Sequence, residues 1–92
     1  GVITHSSFFI AKCMPTAQNS RFAVIVSKKI ADSAVSRNKI RRRIYSIIMD
    51  LIPKLVNKQN VIVIVKKGIE KLSQENLKKE IREIFVKSAL LK

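Results

Sequence analysis

The chain has 92 residues, 47% of them hydrophobic, with 19 lysines and arginines against six acidic residues and a formal net charge of +13. That length sustains one core rather than two, so a single domain over residues 1–92 is expected, and such an excess of positive charge calls for a polyanionic partner. No run reaches the roughly 20 apolar residues that cross a bilayer, and one cysteine with one histidine, Cys13 and His5, falls short of a disulfide or a four-ligand zinc site.

The opening Gly-Val-Ile-Thr-His has neither the positive start nor the long apolar stretch of a secretory signal, so a cytoplasmic location is expected. Ser6–Met14 and Arg21–Lys28 are rich in β-formers and flank Pro-Thr-Ala-Gln-Asn-Ser, a turn-forming run. They read as an antiparallel hairpin. Asp32 or Ser33 is placed to cap a helix whose apolar residues recur at Ile40, Ile44, Ile47, Ile48, Leu51 and Leu55, with Pro53 ending or kinking it. Asn60–Val65 is an unbroken β-branched run, the pattern of a central strand covered on both faces. After Gly68, Ser73 reads as the cap of a last helix over about 74–86, with Leu77, Ile81, Ile84 and Phe85 on its buried side. The order strand, strand, helix, strand, helix predicts an α+β fold, a small mixed sheet with helices packed on it as an α/β sandwich.

The segment from Val26 to Tyr45 carries seven cations, Lys28, Lys29, Arg37, Lys39, Arg41, Arg42 and Arg43, against one anion, Asp32, so close to half of the excess charge sits there. At about 100° per residue, the stripe from Ile40 to Leu55 defines the buried side of the helix. Asn38, Lys39, Arg42, Tyr45 and Ser46 then fall on the far side, Arg41 and Arg43 at its borders, and Arg37 one turn ahead of the stripe. Arginine presents a planar fork that matches two phosphate oxygens, and a helix N-terminus adds free amides and partial positive charge. Arg41, Arg42 and Arg43 have no acid four residues away to pair with, which sets them apart from an ordinary solvated charge run. Lys66, Lys67 and Lys71 form a second basic cluster, for which a solvated loop is the ordinary reading.

Val26-Ser-Lys-Lys-Ile30 followed by Ala34-Val-Ser-Arg-Asn-Lys-Ile-Arg-Arg-Arg-Ile44 resembles the signature of the bacterial ribonuclease P protein component, and the likeness continues through Val61–Lys67 and Phe85–Lys92. The resemblance implies a monomeric protein that binds ribonuclease P RNA and the 5′ leader of precursor transfer RNA and assists leader removal. It further implies that the RNA and its bound Mg2+ do the chemistry, with no catalytic residue and no cofactor on the protein. Carried over by position, Lys28, Lys29, Arg37, Asn38, Lys39, Arg41, Arg42 and Arg43 are the RNA-contacting set. The family holds the leader in a cleft between sheet and helix, for which Phe9 and Tyr45 are the candidates here, since an aromatic face stacks on any base. It also implies a left-handed strand-helix-strand crossover.

The chain departs from the family pattern in places. The amphipathic helix that opens family members is expected to be absent, nothing before Phe8 supplying it. Ala23 stands where a glycine is frequent, the Ile30-Ala31-Asp32 turn is one residue longer, Tyr45 replaces a usual arginine, and Ala11 stands about where a cleft tyrosine is common. Outside the resemblance, the competing reading is a ribosomal-protein-like module that folds RNA without any role in cleavage. A membrane-surface role is disfavoured because a sheet is available to cover the helix's apolar side.

Overall fold

The computed structural model describes all residues from Gly1 to Lys92. Four strands and two helices follow in the order β1 (Val2–His5), β2 (Phe9–Pro15), β3 (Phe22–Ile25), α1 (Ala34–Leu51), β4 (Gln59–Val65) and α2 (Gln74–Lys87), with 3-10 turns at Ile52–Lys54 and Ile69–Lys71. The sheet order is β1-β2-β4-β3, antiparallel between β1 and β2 and between β2 and β4, and parallel between β3 and β4. This is the α+β, mixed-sheet arrangement expected, with one change of neighbours.

The change concerns the expected hairpin. β2 and β3 do run in opposite directions, but β4 lies between them. The Pro15–Ser20 link therefore steps across two strand spacings, about 10 Å. Its ends are held by β4 and the residue before it: Thr16 N donates to Lys58 O at 3.2 Å, Gln59 N to Ser20 Oγ at 2.9 Å and Val61 N to Arg21 O at 2.8 Å. The hairpin that does form joins β1 to β2. Ser6 closes it, its amide donating to Phe9 O at 2.8 Å and its hydroxyl accepting from Phe9 N at 3.1 Å. The signal for β1 was there in Val2-Ile3-Thr4 ahead of Ser6-Ser7, a β-branched run before turn formers.

β4 is central, as expected, but only one of its faces is covered. Val61, Val63 and Val65 are buried, while Ile62 is 39% exposed and Ile64 half-buried. Both helices lie on the same face, where Phe9, Ala11, Cys13, Val24 and Val26 meet Ile40, Ile44, Ile47, Ile48 and Leu51 of α1 and Leu77, Ile81, Ile84 and Phe85 of α2 in one core. Phe22 stacks on Phe85 at 5.9 Å between ring centres. The opposite face, with Ile3, Ile10, Lys12, Met14, Ile25 and Ile62, is left open.

The helix ends follow their capping residues. Ser33 Oγ accepts from Ser36 N at 3.0 Å, and Ser73 Oγ from Asn76 N at 3.1 Å. α1 stops at Leu51, and Pro53 enters the 3-10 turn behind it. α2 ends with Ala89 at φ 61, where Leu90 N reaches back to Phe85 O at 2.9 Å and Leu90 and Leu91 fold into the core.

Candidate nucleic-acid interface

The turn after β3 places the first two cations. Ile30 N and Ala31 N both donate to Ser27 O, at 3.0 and 3.2 Å, so Lys28 and Lys29 stand exposed at the tip. α1 then begins without an acidic residue in its first turn, so its N-terminal partial charge is uncompensated.

Along α1 the polar side chains separate into three bands. On one flank lie Arg37, Arg41 and Tyr45, along the outer edge of β3: Tyr45 Oη accepts from Val24 N at 3.1 Å and donates to Phe22 O at 3.4 Å. Asn38 and Arg42 form the exposed crest. On the other flank Lys39 and Arg43 line a cavity of about 410 Å3 together with Ile30, Ser36 and Glu70. Ile30 and Glu70 also line an adjoining cavity of about 390 Å3 in which Lys29 meets Lys67 and Lys71. The lysine cluster of the β4–α2 loop is thereby brought beside the turn of Lys29. Lys66 is set apart, its Nζ donating to Ser6 O at 2.7 Å.

The guanidiniums differ in how much they have left to offer. Arg37 turns back on its own loop, Nη1 donating to Ala31 O at 3.0 Å and to Asp32 O at 2.8 Å. Arg41 Nη2 donates to Asn38 Oδ1 at 2.5 Å. Arg43 gives Nε to Gln74 Oε1 at 3.0 Å and Nη2 to Leu72 O at 2.6 Å, and Gln74 Nε2 returns a bond to Arg43 O at 3.3 Å. Arg42 is exposed and takes no partner. Every one of these bonds goes to a neutral oxygen, none to a carboxylate, so the positive charge of the helix is not neutralised inside the protein.

One residue of the expected set needs correction, and two are partly engaged within the fold. Phe9 is fully buried on the helix-covered face of the sheet, because its strand parity puts it with Ala11 and Cys13, and it offers no ring to a nucleobase. Tyr45 is half-buried with its hydroxyl bonded to the β3 edge, which ties its ring to that strand. Arg43 has two of its three nitrogens committed to the start of α2. What the sequence reading missed is the open sheet face. Its trace was the alternation Ile10-Ala-Lys-Cys-Met14, in which Ala11 and Cys13 go inward and Lys12 and Met14 outward.

Burial pushes the Cys13 thiol up, and the neighbouring Ser88 side chain acts more weakly in the opposite direction. The thiol packs as a small hydrophobe.

Among solved structures, the Staphylococcus aureus RNase P protein superposes with a TM-score of 0.88 at 19% identity, covering 100% of this chain and 84% of that one. The RNase P protein from Thermotoga maritima superposes at 0.82 with 18% identity, covering 90% and 79%. These show the fold. Among curated sequences, the ribonuclease P protein component of Bacillus pumilus is 37% identical over 76 residues, and that of Microcystis aeruginosa 29% over 79. The matched segments cover 83% and 86% of this chain but only 63% and 66% of those relatives. The sequence model of the Ribonuclease P family matches residues 1–89, and the chain belongs to the bacterial ribonuclease P protein family.

Proposed function

We propose that this chain acts as the protein subunit of ribonuclease P, binding the catalytic RNA and the 5′ leader of precursor transfer RNA and so assisting endonucleolytic removal of the leader. The observation that carries the reading is the cationic surface of α1 and the Lys28–Lys29 turn, whose donors meet no carboxylate, in a chain of this family. Lys28, Lys29, Lys39 and Arg42 are exposed and supply phosphate contacts, with Asn38 beside them on the helix crest; Arg37 and Arg41 contribute charge and their remaining donors.

The leader takes the open sheet face. That face begins at Ala23 and Ile25, just across the β3 edge from the Arg37–Arg41 flank, so an unpaired strand lying on it keeps its phosphates near cations and its bases on apolar side chains. The RNA subunit and its Mg2+ supply the chemistry, and no protein side chain takes part in bond cleavage. The family relationship also favours a left-handed β3–α1–β4 crossover, and it favours a role in cleavage over that of a ribosomal assembly module.

Reconstitution tests the whole reading. The chain, added to a bacterial ribonuclease P RNA at limiting Mg2+, is expected to raise cleavage of a precursor transfer RNA and to bind the precursor more tightly than the mature product. Binding without stimulation in either measurement returns the protein to the assembly class.

A further inference from the structure

We propose that Arg43 and Tyr45 are positioning residues, two side chains on opposite flanks of α1 that set the roll of the helix and thereby aim Asn38 and Arg42 at RNA phosphates; this rests on the RNA-binding reading above. Two residues along a helix are about 200° apart, so the pair grips α1 from both sides. Arg43 ties one flank to the approach and first residue of α2, through Leu72 O at 2.6 Å and Gln74 Oε1 at 3.0 Å. Tyr45 ties the other flank to β3, accepting from Val24 N at 3.1 Å and donating to Phe22 O at 3.4 Å.

Such ties add direction to the packing beneath them. The buried stripe of α1 is Ile40, Ile44, Ile47, Ile48 and Leu51, aliphatic side chains whose attraction to the sheet is proportional to area and indifferent to direction. Hydrogen bonds are directional and weaken steeply when bent. With side chains a helix is about 10–12 Å across, so a roll of about 20° displaces an arginine tip by roughly 2 Å, enough to break a phosphate contact. The Tyr45 tie has a second effect. β3 is an edge strand, and the phenol occupies a backbone donor and acceptor that the strand would otherwise present outward.

The test measures affinity for a bacterial ribonuclease P RNA as a function of salt for the parent, Arg43→Lys, Gln74→Ala and Tyr45→Phe, at a temperature where circular dichroism shows each folded. Lysine keeps the charge of Arg43 but cannot span both acceptors. Each variant is expected to lose about three- to tenfold in affinity, the worth of one directional hydrogen bond, with the parental slope of log K against log salt. Arg43→Lys with Gln74→Ala should lose no more than the worse single change, since both open the same clamp. Parental affinity in Arg43→Lys, together with a slope reduced by about 0.7 to 0.9 in Arg43→Met, would make Arg43 a direct phosphate ligand and overturn the proposal. Parental affinity in all three variants would overturn it equally, leaving the ties as braces of the fold alone. Tyr45→Phe removes a single oxygen and keeps the test open if an Arg43 variant does not fold. A parent chain that fails to bind the RNA brings down the underlying reading instead, an outcome visible before any variant is compared.

Discussion

Arg42→Gln is the cleanest probe of the cationic helix, because it removes a guanidinium that is exposed and free of internal partners while its neighbours hold theirs. Nothing in the fold should change. A charge-assisted contact to phosphate is worth about 1.5–2 kcal/mol, so affinity for ribonuclease P RNA at low salt should fall roughly 10- to 30-fold. One phosphate contact also contributes about 0.7 to 0.9 to the slope of log K against log salt, so between 50 and 200 mM the gap between parent and variant should narrow about threefold. A filter-binding or fluorescence titration at four salt concentrations reads both numbers. If Arg42→Gln binds with parental affinity and parental slope, the crest of α1 does not touch RNA, and the surface drawn here is wrong.

Phe9→Ala should cost about 3–5 kcal/mol of stability in urea, since a fully buried ring is exchanged for a cavity, and any loss of precursor binding should disappear once folded fractions are matched; a stable variant with a selective leader defect would contradict the burial. Ala89→Gly should stabilise the chain by about 0.5–1 kcal/mol, because Ala89 sits at φ 61, where a Cβ is strained, and a melting temperature that falls instead would show the strain to be absent. Burial raises the Cys13 thiol, so the folded state holds that proton more tightly than the unfolded state. Stability is therefore unaffected below the unfolded thiol's pKa and declines above it, from about pH 8.5 upward, and Cys13→Ala should remove that decline.

Much of this architecture was legible because it is written locally. Ser33 and Ser73 cap the helices they precede, Pro53 ends the first, and the aliphatic residues of both helices recur at helical spacing and are buried. Pairing across the sheet is not written locally. β2 and β3 are neighbours in sequence and opposite in direction, which is all a hairpin reading needs, yet β4 enters between them from some 35 residues away. The coverage of β4 failed for a related reason: Val and Ile alternate along it, and both look apolar on paper, although the valines face the helices and the isoleucines do not. At the interface, residue type located the charge correctly, but whether a given guanidinium is free or spent depends on what lies opposite it. Arg42 and Arg43 are adjacent and chemically identical, and only the approach of Gln74 and Leu72 separates them.

The distribution of acids gives the molecule a direction. No strand contains an aspartate or glutamate, and α1 has only Asp50, near its end; Glu70, Glu75, Glu80 and Glu83 belong to α2 and the turn before it. Glu75, Glu80 and Glu83 lie on α2, Glu70 lines the cavity beside Lys39 and Arg43, and Asp32 precedes α1, so the turn of Lys28 and Lys29 and the first turns of α1 hold many more cations than acids. A polyanion approaching such a body is drawn most strongly to the α1 side, because along α2 the glutamates nearly balance the lysines and arginine. On its exposed side α2 interleaves its cations Lys78, Lys79, Arg82 and Lys87 with Glu75, Glu80 and Glu83, which lowers the repulsion along that helix. The densest unpaired repulsion therefore lies around the first turns of α1, where bound phosphates would relieve it.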